Sequence, residues 1–381
     1  MAKRKKPTPK KRLCVLCGRH IYQYETEGVV GITGRMVCKN CLHISKRLTR
    51  NEKMSQQKED SVQKRAENKV ILTPREIMRQ LDEVIIGQER AKQAVAVAFW
   101  KQQLRAAGEQ SVPRLNLLLY GPTGCGKTAL VRDASRIVGL PFLVFDSTTL
   151  SEAGYRGRDA ADIIKDLAEL HQGNEKLPYS VVFLDEMDKL AAQGGEQRQA
   201  YNRGTQHALL KLVEGVDVNY GTGTLSTEGM LFVFGGAFSG MKREKQRLML
   251  PIGFERKEIV EEPSEDVMAD FRAYGMEPEL MGRVGQCVPL ESLSAEDLKQ
   301  ILLRSKLSAL RQYQAFFARH NVELKISDHC LDGLVERALS RGTGARGLQT
   351  MVEELMEPWM LRLANGELKR REVELSDGFA E

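Results

Sequence analysis

Residues Gly121, Pro122, Thr123, Gly124, Cys125, Gly126, Lys127 and Thr128 spell GPTGCGKT, which fits the pattern G-x-x-x-x-G-K-[ST]. This loop constrains the chain more than any other stretch. Its glycines let backbone N–H groups wrap a phosphate, Lys127 reaches the β- and γ-phosphates, and the Thr128 hydroxyl can ligate Mg²⁺. The loop works only between a buried strand and a helix. Leu115–Tyr120 is a short apolar run before it, and Ala129–Val138 carries apolar residues at helical spacing after it. At average composition a chance match in a chain of this length is roughly a one-per-cent event. The pattern implies that the chain binds a nucleoside triphosphate, with Ala129 opening the helix beside the bound phosphates.

A second segment supplies the other half of such a site. Val181–Leu184 is apolar and ends in Asp185 and Glu186. A buried strand with that ending places two carboxylates beside the phosphate loop, Asp185 to hold Mg²⁺ and Glu186 to activate the attacking water. Apolar runs at Asn116–Tyr120, Pro141–Asp146, Val181–Asp185 and Leu231–Gly235 alternate with helical patterns. That order predicts an α/β fold, a three-layer phosphate-loop domain on a parallel sheet, over residues 70–288. Thr73 reads as the cap of its first helix, with Pro74 next. Residues 289–381 read as a smaller, mainly helical domain. Ser294–Asp297 forms a capping box there, helices are predicted over Arg304–His320 and Asp328–Ser340, and short strands at Val322–Ile326 and Glu372–Leu375 are able to pair.

Charge is unevenly placed. The net charge is +6, yet residues 1–69 hold 18 Lys/Arg against 6 Asp/Glu, so the rest of the chain is acidic. Residues 1–12 read as a basic disordered tail and 46–69 as a polar linker. Between them, over residues 13–45, Cys14, Cys17, Cys38 and Cys41 form two C-x₂-C pairs separated by twenty residues, the spacing of a four-thiolate zinc site. So short a module lacks room for its own core, and the metal would supply the folding energy. Cys125, Cys287 and Cys330 stand alone and read as buried or incidental.

Several longer runs carry a resemblance to the ClpX family of AAA+ unfoldases. They are Val84–Glu89, Leu150–Gly157, Ala208–Gly215, Gly235–Phe238 and Gly342–Leu348. The resemblance covers about Thr73 to Met360 in order, and the cysteine module resembles that family's zinc-binding domain. It implies ATP, Mg²⁺ and Zn²⁺ as cofactors, a homohexameric ring and the ClpP peptidase as partner. Unfolded or tagged proteins would be the substrates, and the zinc module would serve dimerisation and the docking of substrates or adaptors. It also implies roles for single residues. Ile85 and Ile86, with Val84, would pack on adenine. Arg283 would reach a neighbour's γ-phosphate, and Arg346 would touch nucleotide within the same chain. Tyr155, between Gly154 and Gly157, would grip the polypeptide in the axial pore. Ile252, Gly253 and Phe254 would dock in the peptidase's apolar pockets from a charged loop, Met241–Glu262.

Two departures from the family pattern affect substrate choice. Arg156 stands where the family has an apolar residue, which would make a six-fold pore more positive. The segment Asp217–Met230 lacks the family's basic cluster, and the loop Gln193–Gly204 is shorter. These changes lean toward a divergent second copy. Two other readings stay open on the sequence: a remodelling chaperone without a peptidase, and a nucleic-acid motor suggested by the basic zinc module. The latter is disfavoured because the basic excess lies outside the motor. No apolar run approaches the roughly 20 residues that span a bilayer. The basic front end lacks the apolar segment of a secretory signal, so a cytoplasmic protein without membrane partners is expected.

Overall fold

The computed structural model describes residues 12–14, 20–21, 28–30, 36–38, 71–109, 111–150, 158–221, 223–241, 245–252, 256–263, 266–306, 308–368 and 372–375. The chain divides into two compact units, Met1–Val70 and Ile71–Glu381. In the front unit, Arg12–Leu13 pairs antiparallel with His20–Ile21, and Gly28–Val30 with Met36–Cys38, Gly28 opposite Cys38. Cys14 is buried. Cys17 and Cys41, residues 1–11 of the expected tail and the linker lie outside the described residues.

The main body is built on a five-stranded parallel sheet. Its strands in chain order are β1 (Leu117–Tyr120), β2 (Phe142–Asp146), β3 (Val181–Asp185), β4 (Leu231–Gly236) and β5 (Gln286–Pro289), arranged β5-β1-β4-β3-β2. Side chains alternate across a strand, so each apolar run feeds two cores. Leu118, Val182, Leu184, Phe232 and Phe234 face one core. Leu117, Leu119, Val181, Phe183, Leu231 and Val233 face the other. Burial on both faces explains why these strands are continuously apolar rather than alternating. Helices α1 (Pro74–Leu81), α2 (Glu89–Ala106) and α3 (Lys127–Val138) cover the second core through Ile77, Leu81, Phe99, Leu130 and Val131. Helices α4 (Ala160–Leu170), α5 (Glu196–Glu214), α6 (Val267–Tyr274) and α7 (Pro278–Met281) cover the first through Ile163, Leu167, Leu209, Phe271 and Leu280. Fully burying one such side chain contributes about 1.5–3 kcal/mol. The result is three layers.

The C-terminal part has its own core around Leu298, Phe317, Leu334, Val352 and Val373. It comprises α8 (Ala295–Arg304), α9 (Ala309–Arg319), α10 (Asp328–Ser340) and α11 (Gly344–Ala364). Two strands, β6 (Glu323–Ile326) and β7 (Glu372–Leu375), pair in parallel. Thr73 caps its helix and Ser294 forms its capping box as expected, each side chain accepting from the third helical N–H, and Glu76 completes a capping box at Thr73 as well.

Three local expectations change. Gln193–Gly204 is not a loop, because α5 begins at Glu196. Met241–Glu262 is largely an antiparallel hairpin, Lys245–Ile252 against Arg256–Pro263. Ile252 ends its first strand opposite Arg256, while Gly253 and Phe254 lie outside the described residues. Within the predicted helix Arg304–His320, Arg304 ends α8 and α9 starts only at Ala309, because Ser305 and Lys306 bond back to Val84 and Glu83. The sheet also gains a strand, β5, that its short polar-flanked sequence did not announce.

Two buried polar groups tie this frame together. Lys92 is buried and bonds both Asp82 and Glu89, the latter at 2.7 Å, which clamps the turn between α1 and α2. Asn116, at the amino end of β1, donates from Nδ2 to the Arg283 carbonyl at 3.0 Å and accepts from the Phe232 N–H at 3.1 Å. Its own backbone carbonyl accepts from Gly285 at 2.8 Å. Asn116→Ala should strand a buried N–H and a carbonyl, costing about 2–3 kcal/mol. A melting temperature lowered by roughly 5–10 °C in a thermal scan is expected, whereas an unchanged melt would show that Asn116 is not such a clamp.

Candidate active site

The carboxyl ends of β1, β3 and β4 converge, and the polar chemistry of the body collects there, as a parallel sheet covered on both faces requires. The phosphate loop leaves β1 at Gly121, whose N–H donates to the Gly236 carbonyl at the end of β4, 3.3 Å away. It ends at Gly126, the cap of α3, so that Lys127 and Thr128 occupy the first turn of a helix of 12 residues. The N–H groups of that turn, including Ala129, have no helical partner and form an anion site.

Lys127 Nζ donates to the carbonyls of Gly121 and Pro122 at 2.7 and 2.9 Å and lies 3.8 Å from Cys125 Sγ. These are neutral acceptors. Among the described residues Lys127 has no carboxylate partner, so its ammonium is available to an incoming phosphate. Thr128 Oγ1 donates to Asp185 Oδ2 at 3.0 Å. The other carboxylate oxygen accepts from the Glu186 N–H at 2.9 Å. Thr128 and Asp185 thus present two hard oxygen donors side by side, suited to Mg²⁺ beside a triphosphate.

Glu186 follows in the left-handed region, at φ 57° and ψ 33°, which is uncommon for a residue with a side chain. Such a conformation is held only where the surroundings impose it, and Glu186 is exposed there. Asp188 helps to impose it: buried, it accepts from the Ala237 N–H at 3.1 Å and so locks the end of β3 to the end of β4. Cys125 is buried, and burial raises its thiol pKa although nearby Lys127 pulls the other way. Burial pushes the Cys287 thiol up to about 12. Both thiols remain protonated at neutral pH, which agrees with reading them as incidental.

The loop is held from outside by the C-terminal part. Ala345 donates its N–H to the Gly124 carbonyl at 3.2 Å. Gly124 sits at φ +78°, and a Cβ there would lie 2.4 Å from the Thr343 carbonyl oxygen. Gly344, at φ +56°, is equally confined, its notional Cβ 2.8 Å from the Gly124 oxygen. Arg346, exposed on the first turn of α11, follows this contact by one residue and forms no ion pair among the described residues. On the other side, Gln88, itself left-handed at φ 60°, bridges the Glu291 carbonyl and N–H at 2.8 and 3.0 Å and reaches the Cys125 carbonyl at 3.5 Å. Ile85 packs half-buried on the core beneath, Ile86 is half-buried, and the Val84 carbonyl accepts from Ser305 Oγ at 2.9 Å. A cavity of about 460 Å³ opens beside this bridge between Gly87–Ala91 and Pro289–Leu293.

The structure therefore brings Lys127, Thr128, Asp185 and Glu186 together, with Ile85, Ile86 and Arg346 near the rim. Arg283 is elsewhere. Its carbonyl is pinned to Asn116 before β1 begins, whereas the phosphate loop follows β1, so on the order of 13 Å of strand separates them. Its guanidinium bonds Glu214 at the end of α5. Farther along α5, Tyr201 Oη donates to the Leu150 carbonyl at 2.9 Å. Tyr155 and Arg156 lie outside the described residues. One further grouping of metal-ligand types occurs among the described residues: His207, Glu277 and Glu279, with ligand atoms within 4.8 Å of one another. Arg203, 3.1 Å from Glu277, already compensates part of its charge. Gln88, Asn116, Glu214 and the Thr343–Gly344 contact escaped the sequence reading. All of them lay in runs singled out there, but nothing in those runs marked the individual contacts.

A Gly124→Ala substitution should push the start of α11 off the loop and strain a backbone that only glycine adopts freely. Affinity for ATP, read by titration with a fluorescent analogue, is expected to fall about tenfold or more, with the far-UV spectrum unchanged. Retained affinity would mean that the contact does not shape the loop.

Two family models match this body. One, described as an AAA domain (Cdc48 subfamily), covers residues 112–287, and the other, the C-terminal, D2-small domain of ClpB protein, covers residues 293–374. Among curated proteins, the chain is 32% identical to the ATP-dependent Clp protease ATP-binding subunit ClpX 3 of Methylococcus capsulatus, over 94% of this chain and 90% of that protein. It is 36% identical to the ClpX subunit of Azotobacter vinelandii over 76% and 74%, and 32% identical to that of Treponema denticola over 86% and 84%. At 94% of the chain, the match to the first of these reaches into the front module as well as the motor. An α/β phosphate-loop sheet with paired Thr128 and Asp185, a helical C-terminal part against the loop, and likeness over nearly the whole length lead to one conclusion: this chain is an ATPase that belongs to the ClpX family of AAA+ proteins.

Proposed function

We propose that the chain is an ATP-driven protein unfoldase and translocase that works as a homohexameric ring. The observation that carries this reading is the separation of Arg283 from the phosphate loop of its own chain. A guanidinium is valuable at a γ-phosphate because it neutralises charge developing in the transition state. Arg283 lies at the amino end of the sheet while the phosphate loop lies at its carboxyl end, so the triphosphate it serves belongs to a neighbour. Within each chain, Lys127 and the loop N–H groups hold the phosphates, Thr128 and Asp185 hold Mg²⁺, Glu186 activates water and Arg346 senses the nucleotide. Ile85 and Ile86 line the base. The remaining site residues, Gly121, Pro122, Thr123, Gly124, Cys125, Gly126 and Ala129, supply the backbone cradle.

Tyr155 and Arg156, in the loop whose base Leu150 and Arg158 close by a parallel bridge, would line the axial channel and grip polypeptide. Residues 13–45, with Cys14, Cys17, Cys38 and Cys41 on Zn²⁺, form the docking module for substrates or adaptors. The proposed boundaries are a tail over 1–12, a linker over 46–69, the large ATPase domain over 70–288 and the small domain over 289–381. The names of the relatives include a Clp protease, and Ile252 with the next two residues in sequence, Gly253 and Phe254, is the proposed contact with ClpP. A short segment with an Ile and a Phe suits insertion into apolar pockets of a partner. Among the described residues no helix is long and apolar enough to cross a membrane. A cytoplasmic setting fits the reading.

Trans action is tested by mixing two inactive chains. Glu186→Gln and Arg283→Ala alone should each lower ATP turnover at least about a hundredfold. Co-assembled, an Arg283→Ala subunit keeps Glu186 and receives Arg283 from its Glu186→Gln neighbour, so turnover should partly return. Failure of mixed rings to recover hydrolysis sinks the reading. Delivery to a peptidase is tested separately: Phe254→Ala should abolish ClpP-dependent degradation of an unfolded substrate while sparing ATP turnover.

A further inference from the structure

Glu214 is oddly placed. It is the last residue of α5, where a helix carries partial negative charge and favours cations. The chain answers this local conflict with two arginines. Arg114 Nη2 donates to the Glu214 backbone carbonyl at 3.2 Å, and Arg283 Nη2 donates to Glu214 Oε1. The Arg283 backbone cannot follow its side chain, because its carbonyl is held by Asn116. Its guanidinium is free to choose a partner: the side chains of Arg283 and Glu214 are 54% and 41% exposed. A cavity of about 330 Å³ opens beside them, lined by Arg114, Asn116, Glu214 and Arg283.

An exposed ion pair of this kind is weak, whereas a triphosphate offers more charge and a bidentate geometry that a guanidinium matches. We infer that Glu214 is a positioning residue for Arg283, holding the guanidinium aside in the absence of a neighbour's nucleotide and releasing it to the neighbour's phosphates when they arrive. The inference rests on the reading that Arg283 acts across a subunit boundary. Glu214 then competes with ATP for the same cation, and the competition sets the ATP concentration at which the ring turns over. Exposure to solvent is what keeps the pair easy to break.

The test uses the full chain with Glu214→Gln, which keeps the shape and removes the charge. With the competitor gone, the ATP concentration for half-maximal hydrolysis should fall about two- to fivefold, the range an exposed pair allows. The melting temperature should stay within a few degrees of the parent. Glu214→Asp, which retains the charge, should return the concentration toward the parental value. In an Arg283→Ala background, Glu214→Gln should leave the binding of a fluorescent ATP analogue unchanged, because no guanidinium remains to be released. An unchanged half-maximal concentration overturns the inference, as does an equal shift in the Arg283→Ala background. An Arg283→Ala chain that hydrolyses ATP like the parent overturns the subunit-bridging reading instead, and the inference with it.

Discussion

Burial of both faces of the parallel sheet is the constraint on which the rest of the molecule depends. β1, β3 and β4 carry apolar side chains to two separate cores, so no polar group can act from the strand interiors. Charge must therefore appear at strand ends. At one end sit Lys127, Thr128, Asp185 and Glu186. At the other sit Asn116, Glu214 and Arg283. The same hydrophobic requirement that builds the domain separates the two halves of its chemistry.

Much of this was legible in the sequence where a single residue type has one physical use. A glycine loop ending in Lys-Thr must follow a strand and open a helix, and a buried run ending in Asp-Glu must place its carboxylates beside it. The Thr128–Asp185 bond at 3.0 Å is the geometric expression of those two readings. Ser294 and Thr73 announced their helices because a capping hydroxyl with an acid three residues on has few other purposes.

What escaped was whatever depends on partners distant in sequence. β5 is four residues long, and its pairing with β1 is fixed by the fold rather than by its own pattern. Asn116 looks like an ordinary polar residue before a strand until Arg283 and Phe232 arrive on either side of it. Gly124 was recognised as a phosphate-loop glycine, but its contact with Thr343 explains a second demand, since two backbones meet there with no room for a methyl group. The left-handed conformation of Glu186 is likewise invisible in sequence. Met241–Glu262 differs for another reason: its charges suggest a loop, whereas backbone pairing, Leu248 with Val260 and Met249 with Ile259, makes most of it a hairpin.

Helix α5 carries Tyr201 and Glu214 on one continuous rod, thirteen residues and therefore about 20 Å apart. Tyr201 grips the backbone at Leu150, where the loop bearing Tyr155 departs, and Glu214 grips Arg283. A hydrogen-bonded helix does not compress, so the two grips behave as the ends of a ruler. Under the proposed function, nucleotide sensing and substrate handling would then be two readings of one length, and shifting the rod would change both together.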